Sequence, residues 1–134
     1  LNSINFDFIP PLSDFMPIID YVEKIWANAT ILLAQDNHSI IGISAFYCND
    51  NKYLEGYWTV MGISKKHRGI GIGKELILKM IEINKNEKMK LIKMETSMEN
   101  KVLIDLVTFF GFRIQSFGTS RKDGSTPVYL KIYL

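Results

Sequence analysis

Residues 67–80 read HRGIGIGKELILKM, and the fold turns on how this stretch is read. Glycines at 69, 71 and 73 alternate with Ile70 and Ile72, Arg68 and Lys74 flank them, and an apolar helical run follows. Glycine costs a helix interior about 1 kcal/mol relative to alanine and has no side chain to pack. Three together describe either a flexible loop built for tight turns or a main chain that something approaches closely. Two familiar glycine motifs do not fit. A dinucleotide fingerprint starting at Gly69 needs glycine where Lys74 stands, and a nucleotide phosphate loop needs a hydroxyl where Glu75 follows Gly73 and Lys74. What remains is a strand, a short basic loop and a helix start. The first turn of a helix has unpaired N–H groups and a partial positive charge, and glycines without Cβ let an anion touch those amides. A phosphate is the natural ligand, and a diphosphate would engage several amides at once. Lys65, Lys66, His67, Arg68 and Lys74 surround the same place, at least two of them as ordinary solvated charge.

Outward from this loop the chain alternates between two periodicities. Upstream, YLEGYWTVMGIS (53–64) is a long aromatic and β-branched strand. Before it, TILLAQDN and SIIGISAFYCN flank the turn-prone Asp36-Asn37-His38 and form an antiparallel hairpin. The spacing of Ile18, Tyr21, Val22, Ile25 and Trp26 predicts a helix over 14–29, entered through the proline-stiffened DFIPPLSD. Downstream, the glycines lead into a helix to about Asn86, with Leu76, Ile77, Met80, Ile81 and Ile83 as its buried stripe. KLIKMETS (90–97) is a strand, and a helix starting at Glu99 or Asn100 turns Leu103, Leu106, Val107 and Phe110 inward before Gly111 ends it. FRIQSFG and TPVYLKIYL close the chain as two strands around Asp123-Gly124. The strands at 53–64 and 90–97 are joined by a helix, so they run parallel through a right-handed crossover. The order predicts a mixed α/β domain.

Bulk properties exclude several classes. The 134 residues fit one domain, 1–134, and its start at Leu1 rather than methionine suggests loss of a short upstream segment. A net charge of +2 argues for neither nucleic acid nor a membrane surface. The single cysteine, Cys48, excludes an internal disulfide and speaks against a cysteine-built metal site; no metal is expected. With no apolar run near the ~20 residues of a membrane span and no signal peptide, the expected setting is a reducing cytoplasm.

The sequence ISKKHRGIGIGKELI resembles the acetyl-CoA loop of the GNAT superfamily of N-acetyltransferases, with Ile63, Arg68, Gly69, Gly71 and Gly73 where that pattern asks and Lys65 in place of its usual proline. ETSMENKVLIDLVTFFGF resembles the family's later strand–Asn–helix–Gly-Phe element, matched by Asn100, Gly111 and Phe112. The resemblance implies an α/β (α+β) fold: a central mixed, mostly antiparallel sheet with a parallel pair splayed at the cofactor cleft, and helices on both faces. It implies acetyl-CoA as co-substrate. The main chain of Met61 and Ile63 would hold the pantetheine, with Gly62 either permitting close approach or marking a strand bulge. Amides of Arg68, Gly69, Ile70, Gly71, Ile72, Gly73 and Lys74 would hold the diphosphate. Asn100 would contact the cofactor near its thioester end or cap its helix.

By the same resemblance, a neutral amine attacks the thioester directly, with the Met61 N–H as oxyanion donor. Relatives often carry a tyrosine proton donor seven residues after the asparagine; here that position is Val107. Candidates for the base are Glu55, Tyr57 and Glu95. Glu55 is alternatively a solvated charge, Tyr57 a core aromatic and Glu95 a water-facing carboxylate. Tyr57 is expected in phase with Thr59 and Met61. The entry segment resembles that of small bacterial relatives of the amino-sugar type. The expected acceptor is therefore a small-molecule amine, ahead of a protein amine. Rival readings are a non-catalytic acyl-CoA sensor and a nucleotide-binding domain. The expected assembly is a monomer or homodimer.

Overall fold

The computed structural model describes residues 27–134, and the structural statements below concern these. The helix expected over 14–29 lies outside them except for its last residues. The chain forms β1 (Thr30–Asp36), β2 (Ser39–Tyr47), β3 (Glu55–Ile63), α1 (Ile72–Asn86), β4 (Leu91–Ser97), α2 (Lys101–Phe109), β5 (Arg113–Phe117) and β6 (Pro127–Tyr133). The six strands make one sheet in the order β1-β2-β3-β4-β6-β5. Only β3 and β4 run parallel, as the intervening helix requires.

Local chemistry explains the element ends. The β1–β2 turn places Asn37 at φ +55°, a conformation asparagine tolerates better than most residues. Gly111 at φ +114° follows α2, and the Phe112 N–H returns to the Val107 carbonyl at 3.0 Å, a left-handed helix stop that only glycine makes without strain. Both helices pack on one sheet face. Ile77 and Met80 of α1, Val107 of α2 and Phe112 close over Phe46, Trp58, Ile92, Met94, Val128 and Leu130. Ile81, Ile83, Leu103, Leu106 and Phe110 pack at the margin of this cluster.

One buried member of α1 is polar. Asn84 is fully buried, its Nδ2 donating to the Met80 carbonyl at 3.0 Å. A Cβ at Gly56 would collide with Asn84 Oδ1, so this glycine lets the helix lie close on β3. Gly56→Ala is expected to cost about 1–3 kcal/mol through overpacking. It should appear as a lower urea midpoint at unchanged m-value, and part of the loss should return in an Asn84→Ala background.

The sheet opens in its middle. Parallel pairing runs from Glu55↔Leu91 to Trp58↔Met94 and then stops. Beyond it β3 stays on β2 as far as Ile63↔Gly42, and β4 stays on β6 as far as Ser97↔Pro127. The two halves diverge as a V. The cause lies on β3, where Phe46 pairs with Trp58 but Ala45 pairs with Val60, leaving Thr59 as the extra residue of a bulge. A bulge bends its strand and ends local pairing.

Candidate active site

The glycine loop lies at the open end of the V. A short 3-10 turn, Lys65–His67, leaves β3. The Ser64 hydroxyl lies 2.6 Å from His67 Nδ1, and His67 Nε2 lies 3.5 Å from the carboxylate of Asp36, the last residue of β1. Arg68 Nε donates to the Ile63 carbonyl at 3.1 Å. His67 and Arg68 thus fasten the loop to the sheet, whereas Lys65, Lys66 and Lys74 are exposed and make no ion pair among the described residues.

The three glycines differ in what they do. Gly69 and Gly71 have φ of +81° and +96°, and a Cβ on either would meet nothing within 4 Å. Gly71 caps α1 with no side-chain bond to the first turn, so the N–H groups of Ile72, Gly73 and Lys74 lack intrahelical partners. Gly73 is buried, and a Cβ there would come within 3.3 Å of Ile63 Cδ1 and 3.4 Å of Leu106 Cδ2. Its missing side chain brings α1 close to β3 and α2; the other two leave open space over the amides.

The walls of the V present main chain. Ser64 N–H donates to the Ile41 carbonyl at 2.8 Å. Antiparallel strands alternate the direction of their polar groups, so Gly62 and Val60 also turn toward β2. Met61 and Ile63 turn theirs into the gap, where β4 does not follow. The Ile63 carbonyl there is held by Arg68. Across the gap, Asn100 stands at the start of α2 without capping it; its Nδ2 reaches back to Thr96 Oγ1 at 3.4 Å. The capping alternative is therefore not realised. Val107 is completely buried in the core.

Tyr57, Glu95 and Tyr129 share the sheet face opposite the helices. Tyr57 pairs with Lys93 and Glu95 with Tyr129, and strand alternation puts all four on one side. The expectation that Tyr57 runs in phase with Met61 fails, because the Thr59 bulge inverts the alternation: Met61 joins Trp58 on the helical face. Glu55 lies at the far, paired end of β3, 2.6 Å from Lys93 Nζ. Glu95 is the first β4 residue past the parallel pairing, at the throat of the V, and its Oε1 accepts from Arg121 at 2.6 Å. Burial first, then the Glu95 carboxylate, then Tyr129, push the Tyr57 phenol above its ordinary 10.0. It stays protonated, as suits a donor and not a base. Arg121 and Tyr129 escape a reading of sequence: Arg121 sits in a polar loop 26 residues from Glu95, and only the β4–β6 register brings Tyr129 alongside.

Among the described residues, no group of three or more His, Cys, Asp and Glu side chains is arranged to hold a metal, and no helix is long and apolar enough to cross a membrane. Residues 2–112 match the acetyltransferase (GNAT) family. The chain belongs to that family. It is an acyltransferase, and the V between β3 and β4 is the splayed parallel pair of the GNAT fold. A GNAT acetyltransferase from Elizabethkingia anophelis with acetyl-CoA bound is 20% identical and superposes with a TM-score of 0.76 over 89% of this chain and 85% of that one. A Bacillus anthracis protein assigned as a streptothricin acetyltransferase, in complex with acetyl coenzyme A, is 25% identical (TM-score 0.70; 80% and 63% of the two chains). The matched chain of the NatC complex bound to Gag peptide and CoA is 24% identical (TM-score 0.82; 99% and 87%). None of the curated proteins compared with the chain matches it significantly.

Proposed function

We propose that this GNAT enzyme transfers the acetyl group of acetyl-CoA to a primary amine of a small molecule by direct attack. The observation that carries the reading is the V itself. It joins a face of uncapped helix amides to a face bearing Tyr57 and Glu95. The residues fit the donor. Open Gly69 and Gly71 and the first-turn amides of α1, with Arg68, Ile70, Ile72, Gly73 and Lys74, suit a diphosphate. Main-chain groups of Met61 and Ile63 suit the amides of a pantetheine arm, with Gly62 between them bonded to β2, and Asn100 with Thr96 lines the opposite wall. Bound acetyl-CoA supplies an activated carbonyl. The solved relatives in complex with acetyl-CoA or CoA support this donor.

The chain's own groups cover the remaining chemistry. The amine nitrogen bonds to the carbonyl carbon while the Met61 N–H stabilises the developing oxyanion. Glu95 takes the amine proton. The carbon–sulfur bond breaks, and the thiolate acquires a proton from Glu95 or water. Tyr57 does not stand at the position of the relatives' tyrosine donor, and burial keeps its phenol protonated. Its role is to donate a hydrogen bond.

The streptothricin acetyltransferase assignment of one relative and the resemblance of the entry segment favour a small acceptor, for which an amino sugar is the first candidate. The free thiol of Cys48 suits a reducing cytoplasm. Thiol release from acetyl-CoA should be measured with amino sugars, polyamines, aminoglycosides and a short peptide with a free N-terminus. Turnover on a small amine is the expected result, and turnover on the peptide alone overturns the acceptor assignment. On the best amine, Tyr57→Phe should lower kcat by about tenfold, below the ~10²–10⁴ of a full proton-transfer catalyst. The acetyl-CoA KM should not move.

A further inference from the structure

The β5–β6 loop, which no part of the reaction above uses, is tied to the throat of the cleft through one side chain. Arg121 donates from Nη2 to Glu95 Oε1 at 2.6 Å and from Nη1 to Ser97 Oγ at 2.9 Å and Ser125 Oγ at 3.3 Å. Both carboxylate and serine belong to the part of β4 that lies beyond its pairing with β3. Ser97 is fully buried, and the Arg121 side chain is only 18% exposed. The loop is built to keep the guanidinium there. Arg121 N–H donates to the Ser125 carbonyl at 2.7 Å, Gly124 N–H returns to the Arg121 carbonyl at 3.0 Å, and Asp123 Oδ1 accepts from both the N–H and the hydroxyl of Ser125. A planar guanidinium with several donors can hold one carboxylate oxygen and a hydroxyl at fixed angles, which an ammonium cannot do together.

We propose that Arg121 is a positioning residue for acetyl transfer: it binds one oxygen of Glu95 and turns the other toward the amine at the throat of the V, beside Tyr57. Proton abstraction requires a base within hydrogen-bond reach in the reacting complex. A Glu95 side chain released from Arg121 swings among rotamers at a position about one-third exposed. This inference rests on the assignment of Glu95 as the base, and its test separates the two.

The test is a four-corner cycle of wild type, Arg121→Gln, Glu95→Gln and the double variant, with kcat and the acetyl-CoA KM measured on the best amine of the panel above. Arg121→Gln should lower kcat by about 10- to 100-fold, the scale of an ångström's misplacement, with KM changed less than twofold. Arg121→Lys should recover part of the rate. On the Glu95→Gln background, Arg121→Gln should cost nothing more, since groups acting through one another are non-additive. Multiplying losses, or a loss confined to KM, overturn the positioning role and leave the base in place. Full activity in Glu95→Gln removes the base, and Arg121 with it; no turnover on any amine removes both. If Arg121→Gln does not fold, the lysine variant carries the same comparison, because its charge keeps the loop ion-paired while losing the two-point hold.

Discussion

Replacing Gly71 by valine is expected to abolish CoA binding, with a loss of more than 100-fold in affinity by calorimetry, while the circular dichroism spectrum keeps its native shape. Two properties of this position separate binding from folding. Its φ of +96° lies where an L-residue is strained, at a cost of about 1–2 kcal/mol and somewhat more for a β-branched side chain. That is a fraction of the ~5–15 kcal/mol stability of an ordinary domain, so the fold survives with a lower midpoint. A Cβ there has nothing within 4 Å apart from its chain neighbours, so the valine adds its bulk to open space. Gly71 is the N-cap of α1, so that bulk stands beside the first-turn amides, the place proposed for the diphosphate. Displacing that group removes several charge-assisted hydrogen bonds together, each worth about 1.5–3 kcal/mol, and about 2.7 kcal/mol already equals a hundredfold. Parallel titrations with ATP and NAD separate the acetyl-CoA reading from a general nucleotide site, since only the former uses a pantetheine arm, proposed to lie along Met61 and Ile63. Unchanged CoA affinity in Gly71→Val would remove the loop assignment.

The parts of this architecture that sequence reveals are those written in short-range signals. Strand alternation, the apolar stripe of α1 and the glycine after α2 each declare an element within a dozen residues. The loop at 67–74 declares itself through three glycines at alternate positions between basic residues and a helix start. What stays hidden depends on contacts between distant segments. Trp58, Val60 and Gly62 are all buried, so β3 reads as one unbroken alternation. Yet the Thr59 bulge sends Trp58 and Val60 to opposite faces, both of which are covered there. No local pattern marks the change, and with it goes the expected phase of Tyr57 and Met61. Gly73 and Gly71 look alike in sequence; one is closed in by Ile63 and Leu106 and the other faces open space. Asn100 offers a helix cap by residue type, but Thr96 captures its amide. The two carboxylates with base potential are also equal in sequence, and only the sheet distinguishes them. Both are ion-paired at 2.6 Å, but Glu55 lies where β3 and β4 are still paired and Glu95 where they part.

That distinction makes Glu95→Gln the second large effect. The substitution keeps the shape of the side chain and a carbonyl oxygen for Arg121, and it removes the capacity to take a proton. Turnover on the best amine should fall by about 10²–10⁴-fold, the range of a lost acid–base catalyst. The acetyl-CoA KM should stay close to wild type, because the loop proposed for the diphosphate lies on the other side of the V. Glu55→Gln is the internal comparison: it loses an ion pair whose partners are both about one-third exposed, a kind of bridge worth about 0–1 kcal/mol, and its turnover should stay within about twofold. Raising the pH distinguishes a lost base from a lost substrate contact. A variant lacking only the base regains rate as more of the amine arrives already neutral, whereas one lacking an ammonium-binding contact falls further behind. The opposite ranking, with Glu55→Gln inactive and Glu95→Gln unimpaired, would place the proton transfer at the paired end of β3 and make the opening between β3 and β4 a binding cleft alone.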